Sequence, residues 1–110
     1  MTAERVPFPP PRVSTALAAA LRALGGRSIE GGDVEAAREY ASSEFRALQS
    51  VLAQSPSRML ERTTRQRIAE LRIAAGDVER GLAEWDPTMP YDVRSMRMLD
   101  AARRAAALGE

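Results

Sequence analysis

The length, composition and charge of the chain exclude several kinds of protein before any motif is considered. With 110 residues and an apolar fraction of 45%, it is long enough for one domain with a real core, which argues against wholesale disorder. The absence of cysteine and histidine excludes disulfides, thiolate metal sites and histidine-based catalysis, and a net charge of +1 provides no overall field that attracts nucleic acid.

Residues 1–12 are rich in proline and predict a non-helical N-terminal tail in the polyproline II conformation. We expect Phe8 to anchor this tail on the bundle, and the alternative is a docking peptide for another protein. The prolines stand where the apolar run of a signal peptide would lie, and no stretch approaches the roughly 20 apolar residues that span a bilayer. We therefore expect a cytoplasmic protein whose residues 13–110 form a single helical domain.

The first two helices are predicted from apolar stripes that recur every three or four residues, the period of one helix face. Ser14 is placed to cap a helix over Thr15–Leu24, which the glycines at positions 25–26 would end. The longest and most two-sided segment is Asp33–Gln54, with Asp33 as its N-cap, and it ends before Pro56. The residues expected to be buried are Leu17, Ala20, Leu21 and Leu24 on the first helix, and Val34, Ala37, Ala41, Phe45, Leu48 and Leu52 on the second.

The third helix is predicted over Pro56–Ala75, with Ser55 as its N-cap. Met59 and Ile73 lie off its main apolar face, which indicates a second contact surface. Four arginines lie beside that face on the helical wheel. The predicted buried stripe is Leu60, Thr64, Ile68, Leu71 and Ala75, and the four arginines are Arg58, Arg62, Arg65 and Arg72.

Two further helices complete the predicted fold. Asp77 caps a short helix over Val78–Trp85, and Asp92 caps a last helix over Val93–Leu108. Because no segment shows the alternation of a strand, the sequence predicts an all-α fold, a compact bundle of about five helices, of which stacked helical hairpins are one version. The expected inward residues are Val78, Leu82 and Trp85 on the fourth helix, and Met96, Leu99, Ala102 and Ala106 on the fifth.

One four-residue motif occurs twice, 44 residues apart, as Gly-Asp-Val-Glu at 32–35 and at 76–79. The second copy and the residues before it, from Ile68, resemble the inter-helix turn of tetratricopeptide repeats, and the resemblance implies that helices pack in pairs. The period is 44 rather than 34, Arg72 takes a position that is usually aromatic, and Gly81 stands where alanine is preferred. Two ordinary capped helix starts are the alternative.

The charge changes sign from helix to helix. Residues 55–75 carry five arginines and two glutamates, whereas the segments on either side, 28–54 and 77–92, are net acidic. We therefore expect the arginines of the third helix to pair with Glu35, Glu39, Glu44 or the acids of the fourth helix. The alternative is a phosphate-binding surface made of Arg58, Arg62, Arg65 and Arg72, with strong salt dependence.

All basic residues are arginine, and no residues form a recognisable catalytic or cofactor site. We interpret the missing lysine mainly as the coding bias of a GC-rich bacterial or phage genome. Glu35 and Glu39 are one helical turn apart but lie away from the apolar stripe, so a catalytic or metal role is not expected. Ser42 and Ser43 have no histidine to activate them. We predict no enzyme, no cofactor and no metal.

The residues around the loop between the fourth and fifth helices are rich in tryptophan, tyrosine and methionine, which are enriched at protein interfaces, so they predict a contact patch for a partner or for a second copy of the chain. A local core under a loop held by Pro87 and Pro90 is the alternative. We predict a non-catalytic protein–protein interaction module, such as an adaptor, an accessory subunit or a chaperone-like protein. It would bind another protein or a second copy of itself. The alternative is a small nucleic-acid-binding regulator. The candidate partner-binding residues are Phe8, Met59, Ile73, Trp85, Met89, Tyr91 and Met98.

Overall fold

The structure is a computed structural model that describes residues 11–54 and 56–109. Five α-helices make up most of these residues. No strand occurs in these two ranges, so the prediction of an all-α bundle of five helices is confirmed. The helices are α1 (Pro11–Glu30), α2 (Val34–Ala53), α3 (Arg58–Ala74), α4 (Val78–Glu84) and α5 (Tyr91–Leu108).

The first helix begins earlier than the sequence pattern predicts. It starts at Pro11, because the first turn of a helix tolerates a residue that lacks an N–H group. Pro11 and Arg12 therefore belong to α1 and not to the predicted tail. Phe8 and the rest of that tail lie outside the described residues.

The first helix also ends later than predicted, because it continues through Gly25 and Gly26 to Glu30. Gly25 is buried, and a Cβ atom at this position would lie 3.6 Å from Cβ of Tyr40 on α2. Close packing of the two helices here outweighs the poor helix propensity of glycine, which is about 1 kcal/mol per residue relative to alanine.

The two Gly-Asp turns have the same local geometry. Gly32 and Gly76 both have a positive φ, 79° and 93° respectively, a region that glycine enters without steric penalty. Asp33 N–H donates to Ser28 O and Asp77 N–H donates to Arg72 O, each at 2.8 Å, which is the six-residue bond of a Schellman turn. The same turn therefore joins α1 to α2 and α3 to α4.

Each of these turns closes a helical hairpin, and α3 lies at the centre of the bundle. Ser14 and Ser50 meet at 3.4 Å at the end of the α1–α2 hairpin opposite its turn, so these helices are antiparallel. One side of α3 contacts α2 and its other side contacts α4 and α5. The first core cluster contains Ala18, Ala47, Leu48, Ile68 and Leu71, with Ala41, Phe45 and Leu52 against it; the second contains Ala69, Ile73, Trp85 and Ala101, with Met89 and Met98 against it.

The third helix is shorter than predicted. Its N-cap is Ser57, whose side chain accepts a hydrogen bond from the N–H of Leu60 at 3.3 Å, so Pro56 precedes the helix. Ser55, the predicted cap, lies outside the described residues. Ala75 was expected in the buried stripe, but it is the exposed C-cap, because the chain turns away from the core toward Gly76.

The fourth helix faces its neighbour through a different side from the one predicted. Val78 and Leu82 are each 48% exposed, and the buried residue of α4 is Gly81. A Cβ atom at Gly81 would lie 2.5 Å from Cγ1 of Ile73 and 2.8 Å from the carbonyl oxygen of Ala69. The missing side chain thus lets α4 approach α3 closely, and this approach turns Val78 and Leu82 outward.

The predicted inward stripe of α1 is also largely exposed. Leu17 and Leu24 are 50% and 40% exposed, and Ala20 is exposed, whereas Leu21 is half-buried. The buried residues of α1 are small: Ser14, Ala18 and Gly25. Because small residues let α1 lie close to α2, the larger apolar side chains are left at the surface.

Candidate partner-binding surface

A buried ion pair joins α2 to α3. Arg67 donates from Nε and Nη2 to the two carboxylate oxygens of Glu44, at 2.6 Å and 3.1 Å. Both side chains are less than 10% exposed. The two parallel hydrogen bonds match the planar guanidinium to the carboxylate, which is the geometry that makes a buried pair favourable. This contact fixes α3 against α2.

The same arginine extends the network along α3 to α5. Arg67 Nη1 donates to Glu70 Oε1 at 3.2 Å, and Glu70 Oε2 accepts from Gln66 at 3.1 Å and from Arg97 of α5 at 2.9 Å. The amide oxygen of Gln66 accepts from the backbone N–H of Asp86 at 2.9 Å, so the α4–α5 connection is attached as well. We call Glu44, Gln66, Arg67, Glu70 and Arg97 the buried ion network.

The network shifts the pKa values of Glu70 and Arg67 in the directions that mutual pairing requires. Burial raises the pKa of Glu70, but the hydrogen bonds from Arg97 and Gln66 and the charge of Arg67 outweigh it and hold the pKa below the ordinary 4.5. Burial lowers the pKa of Arg67, and its hydrogen bond to Glu44 outweighs this and raises the pKa. Both groups are therefore charged at neutral pH.

The buried ion network determines which side of α5 faces the bundle. Arg97 bonds to Glu70, and Arg94 and Arg104 are half-buried on the same side of the helix as the buried Ala101. At the far end of α5, the carbonyl oxygen of Leu108 accepts hydrogen bonds from Arg38 of α2. The inner side of α5 therefore combines arginines with small apolar residues, and it complements the carboxylate of Glu70.

The apolar residues that were predicted to bury α5 lie on its opposite side. Met96 is 73% exposed and Leu99 is 52% exposed, and Ala102 and Ala106 are exposed as well. The prediction that these residues form the inward face is therefore wrong, because Arg97 on the other face bonds to the buried Glu70 of α3, and Ala101 and Leu108 are buried on that face. We call Met96, Leu99, Ala102 and Ala106 the outer α5 stripe.

A second apolar stripe is exposed on α1. Val13 and Leu17 are about half exposed, Leu24 is 40% exposed, and Ala20 lies between them. We call Val13, Leu17, Ala20 and Leu24 the outer α1 stripe. Exposed apolar residues are common singly, whereas contiguous sets on one helix face are the pattern of interaction surfaces.

The predicted partner-binding residues fall into two groups. Ile73 and Trp85 are buried, and Met89 and Met98 pack against them in the second core cluster. This placement favours the local core over the contact patch for these four residues. Met59 and Tyr91 are 78% and 81% exposed and do not belong to that cluster. Phe8 lies outside the described residues.

The four arginines of the predicted phosphate-binding surface are mostly paired. Arg62 lies 3.6 Å from Asp86 and donates to Thr88, Arg65 pairs with Glu61 at 3.0 Å, and Arg72 pairs with Glu84. The Arg72 guanidinium also lies 5.1 Å from the centre of the Phe45 ring. The expected partner Glu44 instead binds Arg67, which the sequence analysis did not single out. Its position beside the buried residues Thr64, Ile68 and Leu71 was the available signal.

A groove of about 460 Å³ lies where α2, α3 and α5 meet. Its floor is apolar, with Leu71, Ala74 and Leu108, and Arg38 and Arg72 stand at its rim. Both arginines already bind groups of the protein itself, Leu108 O and Glu84 respectively. The groove was not predicted, because it forms only where three helices that are distant in sequence converge.

No helix in the described ranges combines the length and apolar character needed to cross a bilayer. No family model matches this chain, and no significant match was found among curated proteins or among solved structures.

Proposed function

We propose that this chain is a non-catalytic protein–protein interaction module that uses the outer α5 stripe to bind an apolar face of another protein. The observation that carries the proposal is the orientation of α5: Met96 and Leu99 are more than half exposed although they lead the apolar stripe of their helix. A partner helix that lies along this stripe would bury it by the i, i+3, i+4 contacts of helix-in-groove recognition.

The charged groups of the interior support a role without catalysis. Glu44 and Glu70 both bind Arg67, so the charges of these three side chains are matched within the bundle. Active sites arrange their titratable groups in clefts with pKa values poised near the working pH. In this chain the buried Glu70 is instead held ionised, because hydrogen bonds from Arg97 and Gln66 and the charge of Arg67 lower its pKa, which is the arrangement of a structural contact.

The proposal is tested by recovering a partner with full-length bait variants. We expect the wild-type chain to retain one protein in stoichiometric amount from the source organism, and the double variant Met96→Gln, Leu99→Gln to lose it. The matched control is Val78→Gln, Leu82→Gln on α4, where the residues are similarly exposed but lie on another helix. Circular dichroism checks that all variants stay folded.

The proposal fails if no protein is retained in stoichiometric amount. It also fails if the α5 variant retains the partner as well as the control does, because the outer α5 stripe would then not be the surface that binds. Size-exclusion chromatography with light scattering on the purified pair supplies the stoichiometry.

A second candidate is binding of nucleic acid by α3, favoured by the way Arg58, Arg62 and Arg65 line one shallow surface with Met59. Their pairing with nearby acids reduces the charge that is available to phosphate. A mobility-shift titration with duplex and single-stranded DNA at low salt tests it. Shifts that disappear in Arg58→Ala, Arg65→Ala would support this candidate, and no shift at low salt would end it.

A further inference from the structure

We propose that the partner helix of the outer α5 stripe is α5 of a second copy of this chain, paired in antiparallel orientation. The inference rests on the proposed function, because it uses the same surface, and it names the protein that covers that surface. Two charged residues point to this partner: Asp92 and Arg103, which lie on either side of the large side chains of the stripe, Met96 and Leu99.

The outer side of α5 has the spacing of a helix-pairing seam. Five exposed residues recur there at alternating steps of four and three, the repeat that places side chains between two helices crossing at a shallow angle. They are Asp92, Met96, Leu99, Arg103 and Ala106. Ser95 and Ala102 beside this seam are small and exposed, so they let a second helix approach closely.

Asp92 and Arg103 project from the same side of α5 as Met96 and Leu99. Eleven residues separate the two charges, about three helical turns, so they lie within about 20° of each other around the helix. Asp92 precedes Met96 by four residues, and Arg103 follows Leu99 by four. The buried Ala101 is nine residues from Asp92, about two and a half turns, and so lies on the opposite side. Both charges therefore belong to the exposed seam.

Neither charge of the seam has an opposite charge bound to it in its own chain. Within the part of the chain that the structure describes, Asp92 and Arg103 form no ion pair. Arg103 borders a shallow surface with Glu30 and Asp100, but it pairs with neither, and Asp100 lies 3.6 Å from Arg104 instead. Asp92 and Arg103 are thus exposed and available to a second molecule.

An antiparallel second copy brings opposite charges together at both ends of the seam. Asp92 of one copy lies beside Arg103 of the other, and Met96 lies beside Leu99. Each contact occurs twice around a two-fold axis that passes between positions 97 and 98, as an isologous interface requires. The seam is therefore complementary to itself. A parallel pair would place Asp92 beside Asp92 and Arg103 beside Arg103, and such like-charge contacts are unfavourable.

The expected interface is small. The 18 residues of α5 extend over about 27 Å, and one helix pair of this length buries less than the roughly 800 Å² per partner of a standard interface. We therefore expect a dimer that dissociates on dilution.

Sedimentation equilibrium of the full chain from about 10 μM to about 1 mM tests the proposal, a range suited to interfaces below standard size. We expect the mass to rise from 12.0 kDa toward about twice that value. Leu99→Ser should raise the dissociation constant about tenfold or more, with the thermal midpoint of the dilute protein nearly unchanged. Leu82→Ser, a change of the same kind at a similarly exposed site on α4, should leave the dissociation constant unchanged.

Exchange of the seam charges tests the orientation. Asp92→Arg alone and Arg103→Asp alone should each weaken the dimer, because each places like charges together at both ends. An equimolar mixture of these two variants should restore the mass, because every charge then meets its opposite. Recovery in the mixture also excludes damage to the helix as the cause of the weakening, since mixing cannot repair a misfolded chain.

The proposal predicts that the protein retained by the wild-type bait is the chain itself. It is overturned by a monomer at every concentration, by a Leu99→Ser dimer as strong as the wild type, or by a mixture no stronger than the single variants. If the purified chain stays monomeric and a different protein is retained through the outer α5 stripe, the second copy is wrong and the proposed function stands. A monomer that retains nothing overturns both.

Discussion

Helices α2 and α5 both pack against α3, but they contact it through opposite chemistry. α2 places Ala47 and Leu48 against the apolar Ile68 and Leu71, and its one buried charge, Glu44, is matched by an arginine. α5 turns Arg97 toward Glu70 and leaves Met96 and Leu99 in solvent. The comparison shows that a buried carboxylate, Glu70 of α3, can draw the arginine-bearing side of an amphipathic helix into the bundle. The apolar residues on the other side of that helix are then left exposed.

The largest effect should come from removing the residue that links the two contacts. Arg67→Ala leaves Glu44 and Glu70 buried without their shared partner, and we expect a loss of about 3–5 kcal/mol in the free energy of unfolding. Urea denaturation measures this loss. The control is Arg65→Ala, whose exposed pair with Glu61 should contribute about 0–1 kcal/mol. Equal losses in the two variants would mean that the network does not hold α2 and α5 in place.

Methionine-to-alanine substitutions on the two sides of α5 should have an intermediate and unequal effect on the free energy of unfolding. Met98→Ala removes a half-buried side chain from the second core cluster, and we expect a loss of about 1–2 kcal/mol, less than for a fully buried methionine. Met96→Ala removes the same atoms from the exposed side and should change stability by less than about 0.5 kcal/mol. Thermal and urea unfolding of both variants provide the comparison. The reverse order would mean that α5 is rotated by half a turn from the orientation described.

The smallest effect should be a dependence of stability on acid pH that comes from Glu70. Its pKa in the folded protein is below the ordinary 4.5, so its contribution is complete above that pH and is lost as the pH falls toward the folded pKa. We expect the free energy of unfolding to fall less between pH 6 and acid pH in Glu70→Gln than in the wild type. Glu61→Gln, an exposed neighbour on the same helix, serves as the control. An identical pH dependence in Glu70→Gln and the wild type would contradict the pairing.

The fold was largely predictable where apolar residues meet apolar residues. The N-cap at Asp33 follows from local hydrogen bonding and is confirmed. The predicted stripe of α2 is confirmed in part: Ala37 and Leu48 are buried, and Val34, Ala41, Phe45 and Leu52 are half-buried. The Gly-Asp turns were predictable for the same reason, because positive φ and the Schellman bonds depend on a few adjacent residues.

The rest depends on contacts between residues far apart in the chain. Arg67 and Glu44 are 23 residues apart and Arg97 and Glu70 are 27 apart, and nothing in the local pattern pairs them. From the sequence alone, Gly81 is only a residue of low helix propensity, whereas in the structure it makes room for the side chain of Ile73. Hydrophobic periodicity therefore located each helix but chose the wrong side of α5 and placed most of the apolar residues of α1 and α4 inward when they are exposed.

The most direct test of the account is the accessibility of the two sides of α5. Because the chain contains no cysteine, single variants Met96→Cys and Ala101→Cys report on these sides by their rates of reaction with a thiol reagent under native conditions. We predict that Met96→Cys reacts nearly as fast as in denaturant and that Ala101→Cys, at a site 2% exposed, is strongly protected. Protection at position 96 together with rapid reaction at position 101 would contradict the orientation of α5 and, with it, the proposed binding surface.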